Sequence, residues 1–270
     1  ETKGKLKVVG YSSEGKTSTI NGSGKDLFTI GNGAEVTLST VKVTGANKVA
    51  SIGSQGKLVL RNVNLENTNG AIENNAKQEA DKVYGIILEE TNTIASNVSG
   101  SGLTTVASGT TTTSGTFAQD ELSVKTGATL NNTGSVTVGA LNNSGSVTNS
   151  SIFTVNGTTT NSGTVSNSGT MSVATLDNQS GGTVNNTAGT MTVATLNNSG
   201  DVNNKATMNV ATLTNQSVNT VNNTAGTMTV TGTLNNSGTV SNNGTMSVAT
   251  LDNSGTINGS GSLSITGGTT

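Results

Sequence analysis

Residues 239 to 257 read TVSNNGTMSVATLDNSGTI, and residues 183 to 200 read TVNNTAGTMTVATLNNSG. The two lines share a design: Thr, Ser, Asn and Gly nearly throughout, with a lone Val, Met or Leu at fixed places. The pattern extends well beyond them. From residue 160 onward one register holds Leu176, Leu196, Leu213, Leu234 and Leu251, and a second holds Val165, Val184, Val202, Val221, Val240 and Ile257. A third holds Met171, Met191, Met208, Met228, Met246 and Leu263, each followed two places on by a Val or Ile. Successive members stand roughly 17 to 21 residues apart, a period that marks a solenoid.

Each cycle divides into three short segments, such as TLNN, TVSN and TMSVAT in residues 233 to 250. Segments this short cannot form helices, and the Asn, Ser and Gly between them are turn chemistry, because Asn and Gly tolerate positive φ. Met171 with Val173, and Met191 with Val193, show the period of two that sends both side chains to one face of a strand. Three strands and three corners per coil predict an all-β fold, a right-handed three-sided parallel β-helix with coils of roughly 17 to 23 residues.

Composition weighs the same way. The chain has 270 residues, a formal net charge of −2 and no Pro, whereas disordered chains tend to high net charge and Pro enrichment. With 30% hydrophobic and 2% aromatic residues, a thick globular core is out of reach. One coil buries about four medium side chains, roughly 6 to 10 kcal/mol at ~1.5 to 3 kcal/mol each, less than the ordering entropy of its residues. Coils are therefore stable only when stacked about 4.8 Å apart. About a dozen would extend on the order of 60 Å.

Asparagines keep the same step. Asn178, Asn198, Asn215, Asn236 and Asn253 follow the leucines by two places; Asn167, Asn186, Asn204, Asn223 and Asn242 follow the valines. Stacked in register, such amides form hydrogen-bonded ladders. They read first as corner supports and second as an adhesive polar surface.

Residues 1 to 121 differ in texture, since residues 122 to 270 carry only Lys125, Lys205, Asp177, Asp201 and Asp252 as charges. The repeat continues there in larger coils, as in GAEVTLSTVKVTGANKVASIGSQ (33 to 55) and GKLVLRNVNLENTNGAIENN (56 to 75). The expected organisation is one continuous solenoid: a region of larger coils over 1–121 and regular repeats over 122–270. Residues 73 to 82, ENNAKQEADK, interrupt the apolar pattern and are expected to project as a charged loop. Residues 99 to 118 keep phase least well and are expected to be irregular or a joint.

The chemistry available is narrow. Without His or Cys there is no Ser-His-Asp or Cys-His nucleophile and no structural zinc site. The near-neutral charge, with Arg61 the only arginine, gives no footprint for nucleic acid. No apolar run approaches the ~20 residues of a membrane-spanning helix, and no signal segment opens the chain, so an exported protein would be represented here by a mature piece or fragment. No catalytic residue, cofactor or metal is implied. The expected partner-binding loop comprises Glu73, Lys77, Glu79, Asp81 and Lys82. A carbohydrate-active site would instead require carboxylates such as Glu73, Glu79 or Glu89 to converge.

GKLVLRNVNLENTNGAIENN followed by reiterated TLNNSGTVSNNGTMSVA resembles the passenger regions of bacterial autotransporter adhesins and related secreted filamentous adhesins. The resemblance implies export to the bacterial surface, a right-handed β-helical stalk, and adhesion, autoaggregation or biofilm formation without catalysis. The implied partners are a host or bacterial cell-surface receptor, a glycan, or a second copy of the chain. The alternatives are a structural subunit of an extracellular filament or phage fibre, suggested by an uncapped C-terminal segment (GSGSLSITGGTT), and a carbohydrate-active enzyme.

Overall fold

The computed structural model describes residues 4–13, 16–66, 71–77, 79 and 82–269. Among these residues every regular element is a strand, and no helix occurs. The chain divides into two compact units, Glu1–Gly139 and Ala140–Thr270. Each is a parallel β-solenoid in which a strand pairs with its equivalents one coil before and one coil after.

In the C-terminal unit each coil contributes one long and one short strand, for example Thr170–Asn178 and Thr183–Asn186. The long strand fuses two segments that the sequence separates. Its buried residues are Met171, Val173, Leu176 and Asn178, so the alternation slips one place at Ala174–Thr175, where the inward face changes. With Val184 and Asn186, a coil directs three pairs inward: Met and Val, Leu and Asn, Val and Asn. The stacking is in register, Met171 on Met191, Met208, Met228 and Met246, with Phe153 opposite Met171.

Register survives unequal coil lengths because the corners absorb the difference. Thr170, Thr190, Thr207, Thr227, Thr245 and Ser262 stand opposite one another in turn, although 20, 17, 20, 18 and 17 residues separate them. Strands Ile152–Asn161 and Thr227–Asn236 each carry one residue more than their neighbours, and the pairing shifts at the mid-strand corner. Two coils carry a longer loop at one corner: Gln179–Gly182 closes with Gly182 N–H donating to Gln179 O (2.9 Å), and the equivalent Gln216–Asn219 closes the same way (3.3 Å). Gly181 has φ +80° in the first loop; Val218, at the matching place in the second, has φ +65° and is 97% exposed.

Glycine is required where corners touch. A Cβ on Gly163 would lie 2.1 Å from the Gly145 carbonyl oxygen, and one on Gly200 would lie 2.2 Å from that of Gly182. Both distances are far inside van der Waals contact, so the coil spacing set by strand pairing excludes any side chain there.

The N-terminal unit stacks aliphatic columns. Val36, Leu58 and Ile86 are aligned, as are Leu38, Leu60 and Leu88, all essentially buried. One corner turns through a left-handed residue in successive coils: Thr40 (φ +54°), Asn62 (+50°), Glu90 (+62°) and then Gly109 (+65°). That conformation costs an L-residue about 1–2 kcal/mol. It is held by coil-to-coil bonds, Thr91 N–H donating to Asn62 Oδ1 (3.1 Å) and Asn62 Nδ2 donating to Glu90 Oε2. Beside this corner Ser12–Ser13 pairs antiparallel with the start of Lys16–Asn21.

Residues 99 to 118 are more regular than expected. They hold Leu103–Val106, Thr110–Thr113 and the start of Thr116–Val124, each paired in parallel. Buried Thr104, Thr111 and Thr113 occupy inward positions there, so polar residues fill core places and hide the coil from a hydrophobic count.

Candidate functional site

The two columns of inward asparagines are the most ordered polar feature of the molecule. In the C-terminal unit, Asn143, Asn161, Asn178, Asn198, Asn215, Asn236 and Asn253 form one column. Each Nδ2 donates to the next Oδ1 at 2.7–2.9 Å. Asn149, Asn167, Asn186, Asn204, Asn223 and Asn242 form the other, at 2.8–2.9 Å. All are at most 3% exposed except Asn253, which is exposed.

Asparagine suits the position because one end of its amide donates and the other accepts, so a stack satisfies itself from coil to coil. The same side chain makes the corner. Asn198 Oδ1 accepts from Gly200 N–H at 3.2 Å, while its Nδ2 also reaches the carbonyls of Gly200 (2.9 Å) and Thr220 (3.2 Å). This side-chain bond two residues onward mimics a backbone turn. The ten residues named from the sequence, 178, 198, 215, 236, 253, 167, 186, 204, 223 and 242, all lie in these columns. Asn161 also belongs to one, but Thr159 stands in the leucine register ahead of it, which removed the cue; the Asn-Ser-Gly at 161–163 was the remaining signal.

Outward positions also align. Thr148, Ser166, Asn185, Asn203, Asn222, Ser241 and Asn258 stand in one row. Within it Asn203 Nδ2 donates to Asn185 Oδ1 (3.0 Å) and Asn222 Nδ2 to Asn203 Oδ1 (2.9 Å). A second outward row comprises Thr154, Ser172, Thr192, Asn209, Thr229, Ser247 and Ser264.

Charge is handled differently in the N-terminal unit, which holds every ion pair among the described residues. Lys48 Nζ meets Glu73 Oε2 at 2.7 Å, Lys57 Nζ meets Glu35 Oε2 at 3.3 Å, Lys5 reaches the same carboxylate at 3.8 Å, and Lys42 pairs with Glu66 and Arg61 with Glu89. Each joins different coils. The Lys48 hydrogen bond and charge hold the Glu73 carboxyl below its ordinary range, and the Lys42 hydrogen bond does the same for Glu66. Reciprocally, the Glu73 hydrogen bond raises Lys48.

Of the residues expected to form a partner-binding loop, one belongs to these pairs. Glu73 ends in the strand Ala71–Asn74 and is held by Lys48. Glu79 Oε1 accepts from Gln55 Nε2 at 2.6 Å, and Glu79 and Lys82 form an isolated antiparallel bridge. Lys77 is exposed, its backbone N–H bonded to Ser54 O at 2.9 Å. Asp81 lies outside the described residues. Glu73, Glu79 and Glu89 are thus held by three separate partners, Lys48, Gln55 and Arg61. Among the described residues no cluster of three or more carboxylates is disposed to hold a metal ion, and no helix is long and apolar enough to cross a membrane.

The class that this architecture defines is the repeat-built parallel β-solenoid stabilised by internal amide ladders. Comparison with protein-family models, with curated proteins and with solved structures gives no match.

Proposed function

We propose that the chain is a non-enzymatic segment of an extracellular bacterial adhesin or stalk, of the autotransporter-passenger type. The carrying observation is the repetition of small polar side chains in register on the outside of the C-terminal unit, from Thr148 through Ser166 to Asn258 in one row and from Thr154 to Ser264 in another. Such rows offer many equivalent weak contacts at the ~4.8 Å strand spacing. Contacts of that kind act through avidity, which multiplies individually weak binding by orders of magnitude when several engage together. The separate partners of Glu73, Glu79 and Glu89 and the lack of His and Cys support a binding role over a hydrolytic one.

The test is adhesion by beads coated with the purified protein, scored against epithelial cells, glass and one another. Adhesion or clumping above that of albumin-coated beads is expected on at least one surface. Indifference to all three sinks the reading, and turnover of a polysaccharide by the purified protein would replace it with the enzymatic one.

A further inference from the structure

We propose that the N-terminal unit carries a binding site for a neutral sugar, in the cleft of about 380 Å³ between the paired residues Ser12 and Thr17 and the outer face of the adjoining strands. The proposal rests on the adhesin reading for its biological use, and on the cleft alone for its chemistry.

Five hydroxyls line that cleft: Ser12, Thr17, Thr40, Thr91 and Thr93. They arrive from four places in the chain. Thr17 precedes Ser18, which pairs with Val41; Thr40 sits at the left-handed corner; Thr93 stands opposite Asn64, itself opposite Lys42. None of these five side-chain hydroxyls is engaged with another described residue, and Asn64, which also lines the cleft, donates through Nδ2 to Glu66 Oε1 (2.7 Å) while its buried Oδ1 has no partner. Lys42 is paired with Glu66, and Asn62 is bound on both sides of its amide by Glu90 and Thr91.

The charge and polarity of the lining select the ligand class. The Lys42 ammonium is neutralised, so nothing in the cleft favours phosphate or sulfate. No carboxylate lines it, so a cation has no counter-charge. Its valines, Val41 and Val63, are buried in the core at 2% exposure and present little apolar surface. What remains are uncommitted hydroxyls, each able to donate and accept, on a volume within the ~300–1,000 Å³ usual for small-ligand sites. Each hydroxyl of a pyranose likewise donates and accepts, so one ring can pair with several of these groups at once. With no aromatic platform among the lining residues, binding at a single cleft is weak and gains strength through repetition on a coated surface.

Saturation-transfer NMR on the full chain tests it, with methyl α-mannopyranoside, methyl β-galactopyranoside and N-acetylglucosamine as probes and inorganic phosphate as the control. The variants are Thr17→Val, Thr91→Val and Thr93→Val, singly and together; they delete hydroxyls on exposed residues while keeping side-chain shape, and circular dichroism checks the fold. At least one sugar should bind, with Kd rising about three- to tenfold for each contacting hydroxyl removed, and phosphate should not bind. Failure of all three sugars, undiminished binding to the triple variant, or binding of phosphate in their place overturns the site. Bead adhesion is scored in parallel: adhesion without sugar binding sinks the site and spares the adhesin reading, and sugar binding without adhesion does the reverse.

Discussion

Replacing Asn198 by alanine probes how the core of the C-terminal unit is held. Asn198 is fully buried and stands in mid-column. The substitution removes the bond that Asn178 donates (2.8 Å) and the bond Asn198 gives to Asn215 (2.9 Å). It also strips buried Gly200 N–H of its Oδ1 acceptor. The two ladder bonds contribute about 0.5–1.5 kcal/mol each, and a buried donor left without a partner costs a further ~1–3 kcal/mol. The expected loss is thus about 2–6 kcal/mol. Asn253 provides the internal comparison. It belongs to the same column and accepts from Asn236 at 2.7 Å, but it is exposed and its own Nδ2 bonds only to Gly255 O. Water replaces what Asn253→Ala removes, and a loss below about 1 kcal/mol is expected. Urea unfolding monitored by far-UV circular dichroism measures both. Equal losses for the two variants, or a loss under 1 kcal/mol for Asn198→Ala, would refute the argument that the ladders stabilise by satisfying buried amides.

Three further outcomes are expected. Thr159 and Thr111 are buried with no partner for their hydroxyls, so Thr159→Val and Thr111→Val should each raise stability by about 1–2 kcal/mol, while Thr113→Val, which loses a bond to Asn132 Oδ1 (3.3 Å), should lower it; thermal melts of the three variants decide. Val218 holds the left-handed conformation that Gly181 holds in the equivalent loop, and Val218→Gly should stabilise by about 0.5–1 kcal/mol, with Gly181→Val costing a similar amount, once the greater freedom of glycine in the unfolded chain is subtracted; opposite signs in urea unfolding would contradict this. Because Glu73 is held below its ordinary range by Lys48, its contribution is present above the unfolded pKa of about 4.3 and is lost as pH falls through the lower folded value, so Glu73→Gln should destabilise at pH 7 and match the wild type near pH 2; a pH-independent difference in melting temperature would show that the pair acts by packing alone.

The legible parts of this fold were those with a fixed step. Met171, Leu176, Val184 and their successors announced the coil because each inward column has one occupant type and any change of register would expose it. The asparagine columns were legible for the same reason. Where a column changes occupant, the signal fails. Thr104 stands between Ile86 and Leu122, and Thr111 between Asn92 and Leu130, so residues 99 to 118 read as irregular although their strands are complete. The charged stretch at 73 to 82 drew attention because acids and bases are conspicuous in a chain with 10% charged residues. Two of its acids are held by other coils, Glu73 by a lysine 25 residues earlier and Glu79 by a glutamine 24 earlier. The cleft beside Ser12 and Thr17 had no signature at all: serine and threonine are everywhere, and only coil-to-coil register brings residues 17, 40, 91 and 93 to one place.

The division of labour between inward and outward side chains bears on the binding role proposed for so plain a sequence. Inward positions are constrained by stacking, as in the amide column from Asn143 to Asn253, and corners pack so closely that Gly163 has no room for a Cβ beside the Gly145 carbonyl. Outward positions answer to no such rule. Ser172, Thr192, Asn209, Thr229 and Ser247 succeed one another on equivalent strands without disturbing the columns beneath. A substitution on the outside therefore changes the surface at small cost in stability, and a change repeated along a row alters many contacts at once. Affinity that depends on several weak contacts acting together is sensitive to such repeated changes. For the proposed binding role the amide ladders then have a consequence: by holding coils in register from within, they leave the outer rows free to vary.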